Sequence, residues 1–338
     1  MKVDHHMTSF GADVVEEARQ AEEFGYAGAS LSETDHDPFL SLPFAATATS
    51  SIQLGTGIAI AFARSPMTMA VLANDAQLIT GGRFQLGLGS QIKAHIVRRF
   101  SMPWSRPADR MREYIAALRA VWACWNDGTK LDFTGDFYTH TLMPPFFNPG
   151  PNPYGTPKVA LAAVGTRMVE VAGEMADGIL CHGFSTERYL REVTLPALAR
   201  GSRRADEGRR CEVNVAPFVV TGTNEEEFAA ATSAVRKQIA FYGSTPAYRG
   251  VLELHGWGEL QTELQTMTRE NRWDQMGAVI DDEILNAFAI VGEPDEIGPK
   301  ALERFGDLAS RMVFYTPYKN DRALLPGLAH LIESETAD

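Results

Sequence analysis

The stretch QLGTGIAIAFARSPMTMAVLANDAQLITGGRFQLGLG (53–89) holds one complete structural unit. A glycine-punctuated apolar run from Gln53 to Ala59 predicts a strand. Pro66 then opens an apolar stretch, Met67 to Ile79, at the point where a helix best tolerates proline. Thr80-Gly81-Gly82 predicts a turn and Phe84 to Leu88 a second strand. Neither strand alternates apolar with polar residues, so both suit a parallel sheet covered by helices on its two faces.

The same rhythm extends in both directions. Upstream, strands are expected at Lys2 to His6 and Ala27 to Ser32, with helices from Asp13 to Phe24 and from Phe39 to Ser50. Downstream, a long helix from about Ala108 to Trp125 carries apolar residues at Met111, Ile115, Leu118 and Trp122. Further strands are expected at Lys158 to Ala162, Gly178 to Cys181, Glu212 to Val220 and Met312 to Thr316. Their helices are expected at Arg167 to Met175, Thr186 to Ala205, Glu225 to Phe241, Ile297 to Phe305 and Arg322 to Glu333. Eight strand–helix pairs predict a closed (β/α)8 TIM barrel rather than an open sheet. Two stretches break the rhythm, roughly 127–156 and 243–280, and are read as insertions on a single domain spanning 1–338.

The chain carries 31 basic and 43 acidic residues, a net charge of −12, which argues against a nucleic-acid or membrane-surface partner. Its three cysteines are scattered, and the opening MKVDHHMTSF puts charge where a leader peptide needs an apolar run. Cytoplasmic residence is the expectation, with a small molecule as the ligand.

In such barrels chemistry gathers where strands end and βα loops begin. After strand 2 stands Ser-Glu-Thr-Asp-His-Asp (32–37), where His36 is a candidate acid/base and Asp35 or Glu33 its tuning partner. Asp37 before Pro38 also suits a plain helix cap. After strand 3 come Gly55-Thr56-Gly57-Ile58 and Arg64. Glycines there suit a bulge or the close approach of a ring, and equally simple barrel curvature. Ser90-Gln91 follow strand 4, with Lys93, Arg98 and Arg99 beyond; Gly165-Thr166-Arg167 open a helix after strand 5, an arrangement that suits a phosphate. Metal chemistry is poorly supplied: His5 and His6 are adjacent and face opposite ways, and the last strand brings no carboxylate to join His6, His36 and His182. No GxSxG elbow and no GxGxxG on the first strand occur.

Taken together, SETDHDPF (32–39), IQLGTGIAIAFARSPM (52–67), LITGGRFQLGLGSQ (78–91), VALAAVGTRMVEVAGEMADGI (159–179) and AIVGEPDEIGPKALERFGDLASRMVFYTP (289–317) resemble the bacterial luciferase-like family of flavin and deazaflavin oxidoreductases. ETDHDPFL and LGSQIKAHIVRRF are similar to an actinobacterial subgroup that uses coenzyme F420. The resemblance implies a barrel holding the tricyclic ring at its strand C-termini, and a non-proline cis peptide at Gly57-Ile58 behind the ring. It implies roles for Asp35 and His36 near the ring and substrate, for Ser90 and Gln91 at the cofactor tail, and for Gly165, Thr166 and Arg167 at its phosphate. Arg64 joins them as a candidate contact to an anionic tail. Two departures stand out: Gln91-Ile92 replaces the Gly-Glu of sugar-phosphate dehydrogenases, and Asp35-His36-Asp37 replaces the luciferase Glu-His-His.

Three readings follow. The first is an F420-dependent oxidoreductase moving hydride to or from a small organic substrate. The second is a reduced-FMN-dependent monooxygenase, and the third a non-catalytic flavin-binding barrel. A homodimer is expected from the resemblance. The two insertions are expected to build the substrate pocket, and Trp104, Phe146, Phe147, Trp257 and Trp273 are candidates to line it and equally candidates for core packing.

Overall fold

A computed structural model describes residues 1–205, 208–319 and 321–336. Eight parallel strands close on themselves: β1 (Lys2–Met7), β2 (Gly28–Leu31), β3 (Gln53–Thr56), β4 (Phe84–Gly89), β5 (Lys158–Ala163), β6 (Gly178–Cys181), β7 (Glu212–Val215) and β8 (Arg311–Val313). β1 pairs with β2 and β8, and β4 completes the ring by pairing with both β3 and β5. The molecule is therefore a (β/α)8 barrel, as the apolar runs predict.

Strand parity decides which side chains enter the barrel. Asp4 points inward, where it takes two hydrogen bonds from Arg311 of β8, at 2.7 and 2.5 Å. A Cβ at Gly28 would stand 2.6 Å from the Asp4 carboxylate, so a larger residue on β2 would push against the Asp4–Arg311 pair. Two residues on, His6 shares that inward face, while His5 turns outward to Glu17 of the first helix at 3.0 Å. Burial raises the Asp4 pKa even against its bond to Arg311, so this ion pair plugs the barrel floor.

The helices follow their capping chemistry. Asp37 accepts from Phe39 N–H before the helix Pro38–Ala48, and Ser65 accepts from Thr68 N–H before Pro66–Ile79. In the helix Pro107–Asp127, Met111, Tyr114, Ile115, Leu118 and Trp122 are buried against the barrel. No described helix is long and apolar enough to cross a membrane.

Two expected strands are split. The run 53–59 ends at Thr56, and Ala59–Ile60 resumes pairing with β4 beyond the Gly57-Ile58 bond. The run 212–220 breaks at Ala216-Pro217, where proline has no amide for the ladder. Its second half, Phe218–Val220, leaves the barrel and pairs in parallel with Ala289–Val291, a strand too short for periodicity to reveal. The expected last strand keeps β8 and a single bridge from Tyr315 to Phe218.

The stretch 127–156 contains a hairpin in which Phe133–Thr134 pairs with Thr139–His140. The amides of Asp136, Phe137 and Tyr138 in its turn all donate to the carboxylate of Glu113. The second insertion is mainly helical, and its Leu252 and Leu264 join Phe184, Val235 and Phe288 in a second buried apolar cluster.

Candidate active site

The β2 loop and the end of β3 are strapped together through the backbone. The Gly57-Ile58 peptide bond is cis, at the position the resemblance implies. Gly57 N–H donates to Leu31 O at 2.7 Å, Ser32 Oγ donates to Gly57 O at 2.5 Å, and Glu33 N–H donates to Ile58 O at 3.0 Å. Glu33 returns the contact by accepting from Ile60 N–H at 2.7 Å. Both carbonyls of the bulge are thus occupied from one loop. Across from it, β4 offers glycine: a Cβ at Gly89 would lie 2.7 Å from Ile58 Cδ1, so Ile58 rests on the bare end of β4.

Arg64 fastens this assembly from beneath. Its guanidinium bonds Glu33 and Asp37, each at 2.6 Å, with the arginine and Glu33 side chains only 13% and 8% exposed. Burial works against its charge, but the hydrogen bonds to Glu33 and Asp37 prevail and raise its pKa. The Arg64 donors are directed at these carboxylates, so in this structure the residue positions the loop and the helix start at Pro38.

The structure brings Asp35 and His36 together at the rim. His36 Nε2 lies 3.7 Å from the Asp35 carboxylate, with side chains 52% and 81% exposed. The imidazole stacks on Phe10, with ring centroids 3.8 Å apart. Thr34 Oγ1 donates to Asp35 at 2.7 Å, and that bond chiefly lowers the Asp35 pKa, keeping the carboxylate ionised. Arg99, from just beyond the short helix Lys93–Arg98, donates to Thr34 O and so ties the β4 loop over the β2 loop.

Ser90 and Gln91 stand at the mouth end of β4. Gln91 adopts a left-handed conformation (φ 58°), and its side chain caps its neighbour, accepting from Ile92 N–H at 2.9 Å. Beside them an open hollow of about 290 Å³ is lined by Ala94, His95, Arg98 and Arg99. Gly165, Thr166 and Arg167 are exposed at the start of the helix Thr166–Met175. No side chain caps this end, and a Cβ at Gly165 would meet open space. The amides of Thr166 and Arg167 precede the first intrahelical bond, from Met168 N–H to Gly165 O, and present donors to an anion.

The opposite side of the mouth carries groups that spacing did not bring together. His182, two residues past Leu180 on the inward face, stacks on Tyr248 at 4.9 Å and meets Tyr242 edge-on at 4.5 Å. Tyr242 and Tyr315 share a hydroxyl–hydroxyl hydrogen bond of 2.7 Å. Inward parity on β6 and β8 was a usable signal for His182 and Tyr315; nothing local signals Tyr242 and Tyr248, which arrive from the second insertion and the helix leading into it. Among the candidate aromatics, Trp104 packs edge-on against Phe62, Trp257 stacks on His255, and Trp273 lies beside Phe241. Phe146 and Phe147 are 92% and 67% exposed. Among the described residues, no three His, Cys, Asp or Glu side chains converge as metal ligands.

With its strapped bulge at β3 and open helix start after β5, the molecule is an eight-stranded α/β barrel, a class that carries its active sites at the strand C-termini. Residues 3–311 match the luciferase-like monooxygenase family, and the chain belongs to it. It is 50% identical over 314 residues to an uncharacterized protein of Mycobacterium tuberculosis (strain H37Rv), covering 93% of this chain and 92% of that one. It is 29% identical to the 5,10-methylenetetrahydromethanopterin reductase of Methanolobus tindarius, over 82% of each chain. In three dimensions it is similar to the coenzyme F420-dependent tetrahydromethanopterin reductase of Methanopyrus kandleri, with a TM-score of 0.78, 21% identity and 97% of each chain covered. That last likeness is one of fold.

Proposed function

We propose that the protein is an F420-dependent oxidoreductase that moves hydride between the deazaflavin and a small organic substrate at the barrel mouth. The observation that carries this reading is the Gly57-Ile58 bulge, held at both carbonyls and facing the bare glycine end of β4. The residues fit a flat ring with an anionic tail: a half-buried Gly57-Ile58 edge with Ile58 laid over Gly89, and uncapped amides at Thr166 and Arg167. When bound, F420 supplies a ring carbon that accepts or releases hydride.

The chain's own contribution is placement and proton control. The bulge at Gly57 and Ile58 would back the ring and leave its other face to substrate. Ser90 and Gln91 would border the tail and Gly165, Thr166 and Arg167 would receive its phosphate, while Arg64 keeps the β2 loop in register with the bulge. His36 moves a proton at the rim, with Asp35 as its orienting partner at 3.7 Å. We also assign a homodimer to the exposed apolar residues Leu40 and Phe44 of one helix and Val71, Leu78 and Ile79 of the next.

Titration of the purified protein with F420 and with FMN, followed by fluorescence, tests the reading. Saturable binding of F420 in preference to FMN supports it. Oxygen consumption with reduced FMN assigns the monooxygenase reading instead, and binding of neither overturns both. A His36→Ala variant that binds F420 yet turns over fully removes the acid/base role.

A further inference from the structure

We propose that His182, Tyr242, Tyr248 and Tyr315 form an uncharged hydrogen-bonding wall that selects a substrate with a neutral oxygen, a ketone, aldehyde or alcohol, over a carboxylate or phosphate. This rests on the F420 reading only in calling the ligand the substrate; the wall itself is a feature of the chain.

The wall faces the mouth. On β6, Leu180 reaches across the barrel to within 3.1 Å of where a Gly87 Cβ would stand, and His182 shares its parity. On β8, Tyr315 shares the parity of inward-facing Arg311, and its ring covers Gly183, whose Cβ would lie 2.6 Å from Tyr315 Cδ1. Phe218 stacks behind Tyr315 at 4.8 Å. All four polar side chains are half-buried rather than sealed in the core.

Counting donors shows what the wall lacks. His182 Nδ1 accepts from Phe184 N–H at 3.0 Å, which assigns the ring proton to Nε2, and Nε2 lies 3.3 Å from the Tyr248 hydroxyl. Tyr248 oxygen thus accepts, and its own hydrogen is left to donate. In the Tyr242–Tyr315 pair one hydroxyl donates to the other, so one hydrogen again remains. Two pairs therefore present two O–H donors, which matches the two lone pairs of one carbonyl oxygen.

The same surroundings disfavour charge. Burial lowers the His182 pKa to about 4 and pushes Tyr248 up to about 12; burial, followed by Tyr242, raises Tyr315 also. At neutral pH the wall is uncharged, and among the described residues no Lys, Arg, Asp or Glu is hydrogen-bonded to it. Desolvation that opposes a phenolate also opposes an anionic substrate with no cation to meet it.

Tyr315→Phe and Tyr242→Phe keep the rings and remove one hydroxyl each, and thermal unfolding of both checks that the fold persists. The probes are cyclohexanone and its anionic counterpart cyclohexanecarboxylate, titrated against the full chain with and without F420, reading the His182 ring resonance by NMR. The expected result is a saturable cyclohexanone shift, weakened about fivefold or more in the Phe variant that removes the outward-donating hydroxyl of the Tyr242–Tyr315 pair, the equivalent of one hydrogen bond. Cyclohexanecarboxylate should leave the signal in place. Tighter carboxylate binding, an unchanged cyclohexanone affinity in both variants, or no shift with any probe overturns the proposal and leaves a packing cluster. Because the signal is read without F420 as well, its failure is separable from a failure of the protein to bind that cofactor.

Discussion

The two sides of the barrel mouth are built from different materials. Around β2, β3 and β4 the mouth is shaped by backbone: buried glycines at 55, 87 and 89 that let neighbouring strands and Ile58 close up, a half-buried cis peptide at Gly57-Ile58, and carbonyls engaged by a loop that Arg64 anchors. Around β6 and β8 it is side chain: an imidazole and three phenols, two of them brought by the second insertion and the helix leading into it. A backbone surface gives a flat seat that hardly varies with sequence, whereas a side-chain surface changes its chemistry with one substitution. The first suits a cofactor, the second a substrate.

Substitutions can attack either side of the mouth, and the backbone side should give the larger effects. A Cβ at Gly87 would stand 1.9 Å from Thr56 O, a backbone atom that cannot step aside. Gly87→Ala is therefore expected to cost about 3 kcal/mol in chemical denaturation, and a near-silent result would show that β3 and β4 can part. Arg64→Ala strands Glu33 against Ile60 and leaves Asp37 without its partner. A loss of about 2 kcal/mol is expected, with Arg64→Lys recovering part of it because an ammonium cannot bridge two carboxylates as a fork does.

On the side-chain side the effect is no larger than that of Arg64 and depends on pH. His182 titrates near 4 when folded and near its ordinary value of 6.5 when unfolded. As pH falls through that window the unfolded chain binds the proton first, so stability is full above about 6.5 and declines towards 4. His182→Asn should flatten this acid limb by about 2 kcal/mol while leaving the fold intact at about pH 8. An identical limb in the variant would place the titration elsewhere, with buried His6 the next group to examine. Asp35→Asn, at an exposed rim position, should leave the thermal midpoint unmoved and lower turnover; full turnover would remove the orienting role of Asp35.

How much of this was legible in the sequence follows the same division. The barrel could be read because each strand is a local apolar run between local helix signals, as in 53–89. The bulge was legible too, since Gly57-Ile58 lies within a stretch whose resemblance covers it, and the structure places a cis bond there. Arg64 was read as a contact for a cofactor tail, whereas its guanidinium is held between Glu33 and Asp37, an arrangement set by loop geometry rather than spacing. The wall escaped because Tyr242 and Tyr315 are far apart in the chain and meet only after Pro217 turns Phe218–Val220 out of the barrel towards Ala289–Val291. The conspicuous tryptophans take the packing alternative in part: Trp257 and Trp273 find ring partners within or beside the insertion itself.

Amide hydrogen exchange with and without F420 tests the central claim most directly, because it reports where on the backbone a ligand sits. Slowed exchange is predicted at Ile58 to Ile60 and at Thr166 to Met168, with the hairpin at 133–140 unchanged. Protection confined to the β6 and β8 side, or absent from both segments, would contradict the assignment of the backbone-built side to the cofactor.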